Sequence, residues 1–143
     1  METTITGLLT ARSRAPPSVC TNSSHRLAGL LVIITDANRH HALSRLTRVR
    51  LLNYFDFLVA ADMTGTKKPD PTHFLFALEA LGTKPEETLV VGDSIKRDMA
   101  PARKLGMKTA YASYGDWRPG EETDQCFDFK LNTFSDLLEI SGL

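Results

Sequence analysis

Val90-Val91-Gly92-Asp93-Ser94-Ile95-Lys96-Arg97-Asp98 is the stretch whose reading decides the fold. Leu89-Val90-Val91 is an unbroken apolar run, the pattern of a parallel strand buried on both faces. Gly92 permits a tight turn at the C-terminal end of that strand, where open α/β sheets place their ligands. Asp93 falls on the turn and Asp98 at the start of the following helix, so the two carboxylates can converge. Carboxylates held close repel each other unless a cation or a shared proton intervenes. An oxygen-only pair suits a hard cation such as Mg²⁺, which keeps water and substrate phosphate in its shell. The same residues also fit a plainer role, with Asp98 capping a helix and Asp93 filling a turn. The pair alone favours neither.

The 143 residues suffice for one domain with a real core. Lys+Arg and Asp+Glu balance at 17 each, so no global field argues for nucleic acid or an acidic membrane surface as partner. Cys20 and Cys126 lack metal-ligand spacing and fit a reducing compartment. The longest apolar run, Leu27 to Ile34, is too short to span a bilayer. Met1-Glu2-Thr3-Thr4 lacks the basic start of a secretory signal, and a cytoplasmic protein is expected. Residues 1–26 are expected to be a leader, disordered or serving as a substitute strand, and residues 27–143 the core domain. Ala11 to Arg26 in particular, with Pro16-Pro17, is expected to be loosely ordered.

Outward from the decisive stretch, strand and helix patterns alternate. Leu30 to Ile34 and Phe57 to Ala60 read as buried strands, with Leu43, Leu46, Val49 and Leu52 at near-helical spacing between them. Asp70-Pro71 is a helix start, Phe74, Ala77, Leu78 and Leu81 its apolar face, and Gly82 its left-handed stop. Thr83-Lys84-Pro85-Glu86 has capping-box spacing for a short turn. A helix is predicted from Asp98 to Leu105, ended by Gly106, then a strand from Lys108 to Ala112 and a short edge strand from Phe127 to Leu131. Thr133 caps a last helix with Phe134, Leu137 and Leu138 inward. Strands separated by helices imply right-handed parallel crossovers, hence an α/β fold with a three-layer, doubly wound, Rossmann-like parallel sheet.

Two further candidates fall on the same rim. Thr35 directly follows the first strand, where a hydroxyl can hold a phosphate oxygen or merely cap residues 37–40. Lys68 lies in Gly65-Thr66-Lys67-Lys68-Pro69-Asp70-Pro71, where a lysine can act as a point charge on phosphate or simply remain solvated like Lys67.

The order of these pieces resembles one family. A strand ending in Thr, then Gly-x-x-Lys-Pro-Asp-Pro before a helix, Val-Gly-Asp-Ser with a second Asp, and Ala-x-x-x-Gly-Met-Lys-Thr resembles the haloacid dehalogenase-like hydrolase superfamily. Most of its members are Mg²⁺-dependent phosphatases. The resemblance runs from about Leu27 to Leu143, includes Tyr54-Phe55-Asp56, and is nearest to the phosphoglycolate and small sugar-phosphate phosphatases. It implies that Thr35 and Lys68 bind substrate phosphate, that Lys68 and Asp93 are catalytic, and that Asp93 and Asp98 hold Mg²⁺, with Ser94 orienting the acidic loop. The implied substrate is a small phosphorylated metabolite, with no nucleic-acid or membrane partner.

One departure matters. The family's nucleophile is an aspartate in Asp-x-Asp-Gly-Thr on a central strand, and it attacks phosphorus to form an aspartyl-phosphate. No such motif precedes Thr35; Thr4-Ile5-Thr6-Gly7-Leu8-Leu9 keeps the glycine and apolar residues but has threonine at both acid positions. Asp62-Met63-Thr64-Gly65-Thr66 mimics another phosphorylation motif, yet it precedes Lys68-Pro69 directly, so Asp62 is expected to be a loop residue. There is also no room for the cap usually inserted between the first two motifs. The chain therefore reads as a core truncated at its N-terminus, or as a degenerate homologue that binds phosphate or metal without turnover. Loss of the central strand would orphan two buried strand edges. Either Thr3 to Leu9 fills the gap, or a homodimer or other partner supplies a strand.

Overall fold

The computed structural model describes the backbone of residues 8–11 together with residues 29–116 and 126–140. Its strands are β1 (Leu8–Ala11), β2 (Leu30–Thr35), β3 (Phe57–Ala60), β4 (Thr88–Gly92), β5 (Lys108–Ala112) and β6 (Phe129–Leu131). Its helices are α1 (Arg39–Arg48), α2 (Ala61–Thr64), α3 (Thr72–Leu81) and α4 (Ala100–Lys104). The six strands form one sheet in the order β3-β2-β1-β4-β5-β6. Strand pairs β2–β3, β4–β5 and β5–β6 are parallel, as the alternating pattern predicts.

The central strand departs from that pattern. β1 runs antiparallel to both neighbours, with Leu8 opposite Ile33 and Val91 and Ala11 opposite Leu30 and Thr88. Leu8–Ala11 thus fills the gap between β2 and β4, later in the sequence than Thr3 to Leu9 and reversed relative to its neighbours. Because both neighbours oppose β1, they are parallel to each other, and their C-terminal ends share one rim. The expected loose ordering of Ala11 to Arg26 lies outside the described residues except at Ala11, which ends β1.

Alternation along β4 explains the layers. Val90 points into a core with Val32, Ile34, Val59, Phe74, Met99 and Tyr111, while Leu89 and Val91 point into a second cluster with Ala110, Ala112, Leu131 and Leu137. Helix α3 closes the first face through Phe74, Ala77 and Leu78, all buried. Burying each large apolar side chain contributes about 1.5–3 kcal/mol. Gly82, at φ +63°, supplies the left-handed stop of α3.

Several element boundaries shift. Helix α1 spans residues 39–48, capped by the Asn38 side chain, which accepts from His41 N–H; Val49 and Leu52 lie beyond it and are exposed. The short turn at residues 85–87 is closed by Glu87, whose carboxylate accepts from Lys84 N–H, one residue later than the predicted box. Only the last three residues of the predicted 127–131 strand pair in the sheet. The C-terminal helix is a 3₁₀ segment, Phe134–Leu138, which buries Leu137 alone and leaves Phe134 and Leu138 exposed. A tighter 3₁₀ turn eclipses residues three apart and presents a narrower stripe than an α-helix. Among the described residues, no helix is long and apolar enough to cross a membrane.

Candidate functional site

Thr35 is the last residue of β2 and Asp93 directly follows β4, so both stand on the shared rim. Lys68 enters from the loop between α2 and α3, buried in spite of its charge. Its Nζ donates to Asp98 Oδ1 at 2.5 Å, with both side chains fully buried. The surface fate open to Lys68 in the sequence is overturned; Lys67 alone stays exposed.

Asp98 reaches Lys68 because the chain winds as a π-helical turn, Ile95–Met99, before α4 begins. Met99 N–H donates to Ser94 O at 3.2 Å across the wider ring, and Ser94 Oγ accepts from Arg97 N–H at 3.3 Å to start the turn. The turn is therefore capped by Ser94, and Asp98 is no helix cap. Insertions of this kind re-aim side chains and recur at functional sites. Gly92 completes the fit: a Cβ there would lie 2.6 Å from Asp98 Cβ. Only a residue without a side chain lets Asp98 fold back under the rim.

The electrostatics are tense. Taking two charges from water costs several kcal/mol each, and only close geometry and further hydrogen bonds recover it. Asp98 Oδ2, however, is buried with no hydrogen-bond partner among the described residues. Burial first, then the neighbouring Asp98 charge, pushes the Asp93 carboxyl up to about 6, against the opposing pull of Lys68. A bound cation would relieve both residues at once. Among the described residues no three His, Cys, Asp or Glu side chains gather as a ready metal cage. Two carboxylates with water and phosphate oxygens match the way Mg²⁺ is usually held.

Thr35 Oγ1 accepts from Ala37 N–H at 3.1 Å, while the cap of α1 falls to Asn38. Asp62 lies on the single turn of α2 and not in a loop, and its exposed carboxylate accepts from Arg39 N–H at 2.7 Å, at the start of α1.

Three residues of the rim went unread in the sequence. Asp36 Oδ1 accepts from the Lys68 backbone N–H at 2.8 Å, and its Oδ2 is paired with the Arg97 guanidinium. His73 is fully buried on α3, with Nδ1 3.2 Å from both Thr64 Oγ1 and Thr66 Oγ1 and Nε2 3.9 Å from Asp36 Oδ1. Burial lowers the His73 pKa, offset only in part by Asp36. The available signals were position alone: Asp36 next to Thr35, and Arg97 next to Asp98.

Comparison with known proteins places the fold in a family. Residues 25–112 match the family model of the haloacid dehalogenase-like hydrolases. The chain belongs to that family. It is 35% identical over 109 residues to a glyceraldehyde 3-phosphate phosphatase of Pyrococcus furiosus, covering 76% of this chain and 45% of that protein. To a phosphoglycolate phosphatase of Aquifex aeolicus it is 39% identical, covering 64% of this chain and 41% of that one. A solved haloacid dehalogenase-like phosphatase from Thermococcus onnurineus superimposes with a TM-score of 0.70 at 31% identity, covering 80% of this chain and 51% of that one. The chain spans about half the length of the curated relatives it matches.

Proposed function

We propose that this chain is the phosphate- and cation-holding core of a phosphomonoester hydrolase for a small phosphorylated metabolite. The single observation that carries the reading is the buried Lys68–Asp98 pair on the rim shared by Thr35 and Asp93. A lysine dehydrated against a carboxylate whose second oxygen has no partner among the described residues is costly for stability alone and useful for holding an anion beside a cation.

In this reading Thr35 Oγ1 and the rim amides receive phosphate oxygens, and Lys68 contributes a fixed positive charge. Asp93 and Asp98 hold Mg²⁺, which when bound offers charge neutralisation and polarisation of a phosphate oxygen. Ser94 starts the turn that aims Asp98. The phosphatases among the chain's relatives act on glyceraldehyde 3-phosphate and phosphoglycolate by name, which suggests substrates of similar size. A cytoplasmic location fits such substrates.

A second reading is favoured by one specific observation. The strand between β2 and β4 is Leu8-Leu9-Thr10-Ala11, which carries no carboxylate to attack phosphorus. On that reading the chain binds phosphate and Mg²⁺ without turnover, or gains its nucleophile from a partner chain. Both readings share the binding site and differ in chemistry. An aryl phosphate assay with Mg²⁺, run beside calorimetry of Mg²⁺ and phosphate binding, separates them. Binding lost in Asp93→Asn with negligible turnover is the expected result. Turnover abolished by Asp93→Asn would reveal a nucleophile on this chain, and absence of both binding and turnover would end the functional reading.

A further inference from the structure

Asp36 joins three segments that the sheet keeps apart. It lies directly after β2, it accepts the Lys68 backbone N–H from the α2–α3 loop, and it pairs with Arg97 on the π turn after β4. Since β1 separates β2 from β4, the Asp36–Arg97 bridge crosses the rim over the end of β1. Among the described residues two charged or titratable groups face Asp36, Arg97 and His73, the latter with Nε2 at 3.9 Å, beside the Lys68 backbone N–H. Without Arg97, Asp36 would add a third carboxylate to a rim that already holds Asp93 and Asp98.

The hydrogen bond to Lys68 is made by the backbone. It therefore fixes where the loop starts Lys68 on its way inward, while Asp98 fixes where the side chain ends. Lys67, one residue earlier, has neither tether and remains exposed. The contrast within a lysine pair shows what the two tethers do together.

We propose that Asp36, held by Arg97, is a positioning residue that threads Lys68 into the rim and so prepares the site for a phosphate group. This deepens the proposed phosphate-site reading and rests on it.

Limited acylation with acetic anhydride, mapped by peptide mass spectrometry, tests the proposal with Lys67 as internal reference. In the unaltered chain Lys68 reacts far more slowly than Lys67. Asp36→Ala is expected to raise the Lys68:Lys67 ratio by about tenfold, the scale of one charge-assisted hydrogen bond. Asp36→Asn, whose amide oxygen still accepts the N–H, stays within about threefold, a conservative rescue that a general loss of stability would not show. An unchanged ratio in folded Asp36→Ala overturns the proposal. Should that variant not fold, Arg97→Met decides, because it removes only a surface partner: a rise of about threefold supports the proposal and no rise sinks it.

Phosphorus NMR of inorganic phosphate with Mg²⁺ tests the underlying reading separately. No phosphate binding by the unaltered chain, with the acylation pattern as expected, defeats the functional reading and leaves the positioning of Lys68 supported. Tighter phosphate binding by Asp36→Asn with Lys68 still protected would make Asp36 an obstruction, and the proposal would fail.

Discussion

Two ion pairs leave the same π turn from adjacent residues, and different physics governs them. Asp98 turns inward to Lys68, both side chains fully buried, whereas Arg97 turns outward to Asp36 with its own side chain 46% exposed. The inward pair exists at the expense of dehydration and is tied to a fixed geometry, so removing one partner leaves an uncompensated buried charge. The outward pair has one exposed partner, since Arg97 is open to water and salt while Asp36 is only 15% exposed, so screening makes its direct energy the smaller of the two. Their worth lies in different currencies: the first in what it holds ready, the second in where it keeps the loops.

The largest effect tests the inward pair. Lys68→Met is expected to cost about 3–5 kcal/mol in denaturant unfolding, because Asp98 stays buried and unpaired. Asp98→Asn added to it should restore much of that loss; a single variant as stable as the parent would mean that the pair is not dehydrated.

Gly92→Ala comes next. Its Cβ would meet Asp98 Cβ at 2.6 Å, so Asp98 must back away from Lys68. The expected cost is about 1–3 kcal/mol, the usual range for overpacking. Combined with Lys68→Met the losses should fall short of additive, since both act through Asp98. Full additivity would separate the glycine from the pair.

Asp93 sharpens the electrostatic side through pH. Its carboxyl titrates near 6 in the folded chain, above its ordinary 3.8, so the protonated form favours folding. That contribution is complete below about pH 4 and is lost as pH rises through 6. Melting temperature should therefore fall across this window, and Asp93→Asn should flatten the fall. Mg²⁺ should stabilise more at pH 7 than at pH 5, and identical shifts at both pH values would break the link between the carboxylates and the cation.

The smallest effect belongs to the outward pair. Arg97→Met is expected to cost less than about 1 kcal/mol, and less still at high salt. A loss as large as that of Lys68→Met would erase the distinction between the two pairs.

Much of the fold was legible because its signals are local. Leu30 to Ile34, Phe57 to Ala60 and Lys108 to Ala112 are apolar runs of strand length, and Gly82 ends α3 where the pattern says it must. Thr35, Lys68, Asp93 and Asp98 were legible because strand ends and loop starts bring them to one rim. The direction of β1 was not legible, since Leu8-Leu9-Thr10-Ala11 carries no mark of which way it pairs. The π turn was equally hidden: one extra residue in a helical ring depends on what Asp98 finds across the rim. Asp36 and His73 escaped because their partners lie far along the chain or depend on the closed core, and sequence neighbours say nothing of them.

The reversed β1 also makes the sheet a mechanical object of two ribbons and a seam. β3-β2 and β4-β5-β6 share no strand-to-strand hydrogen bonds, so all ladder continuity between the ribbons passes through Leu8–Ala11. On one face Val32, Ile34, Val90 and Tyr111 bridge the seam by packing, whereas among the described residues the second buried cluster draws on β4, β5, β6 and the C-terminal segment with Leu137 and Ile140. Thermal opening should therefore unzip both edges of β1 together. Amide protons of β2 and β4 that face the seam should exchange with deuterium as one group, ahead of those that face β3 and β5.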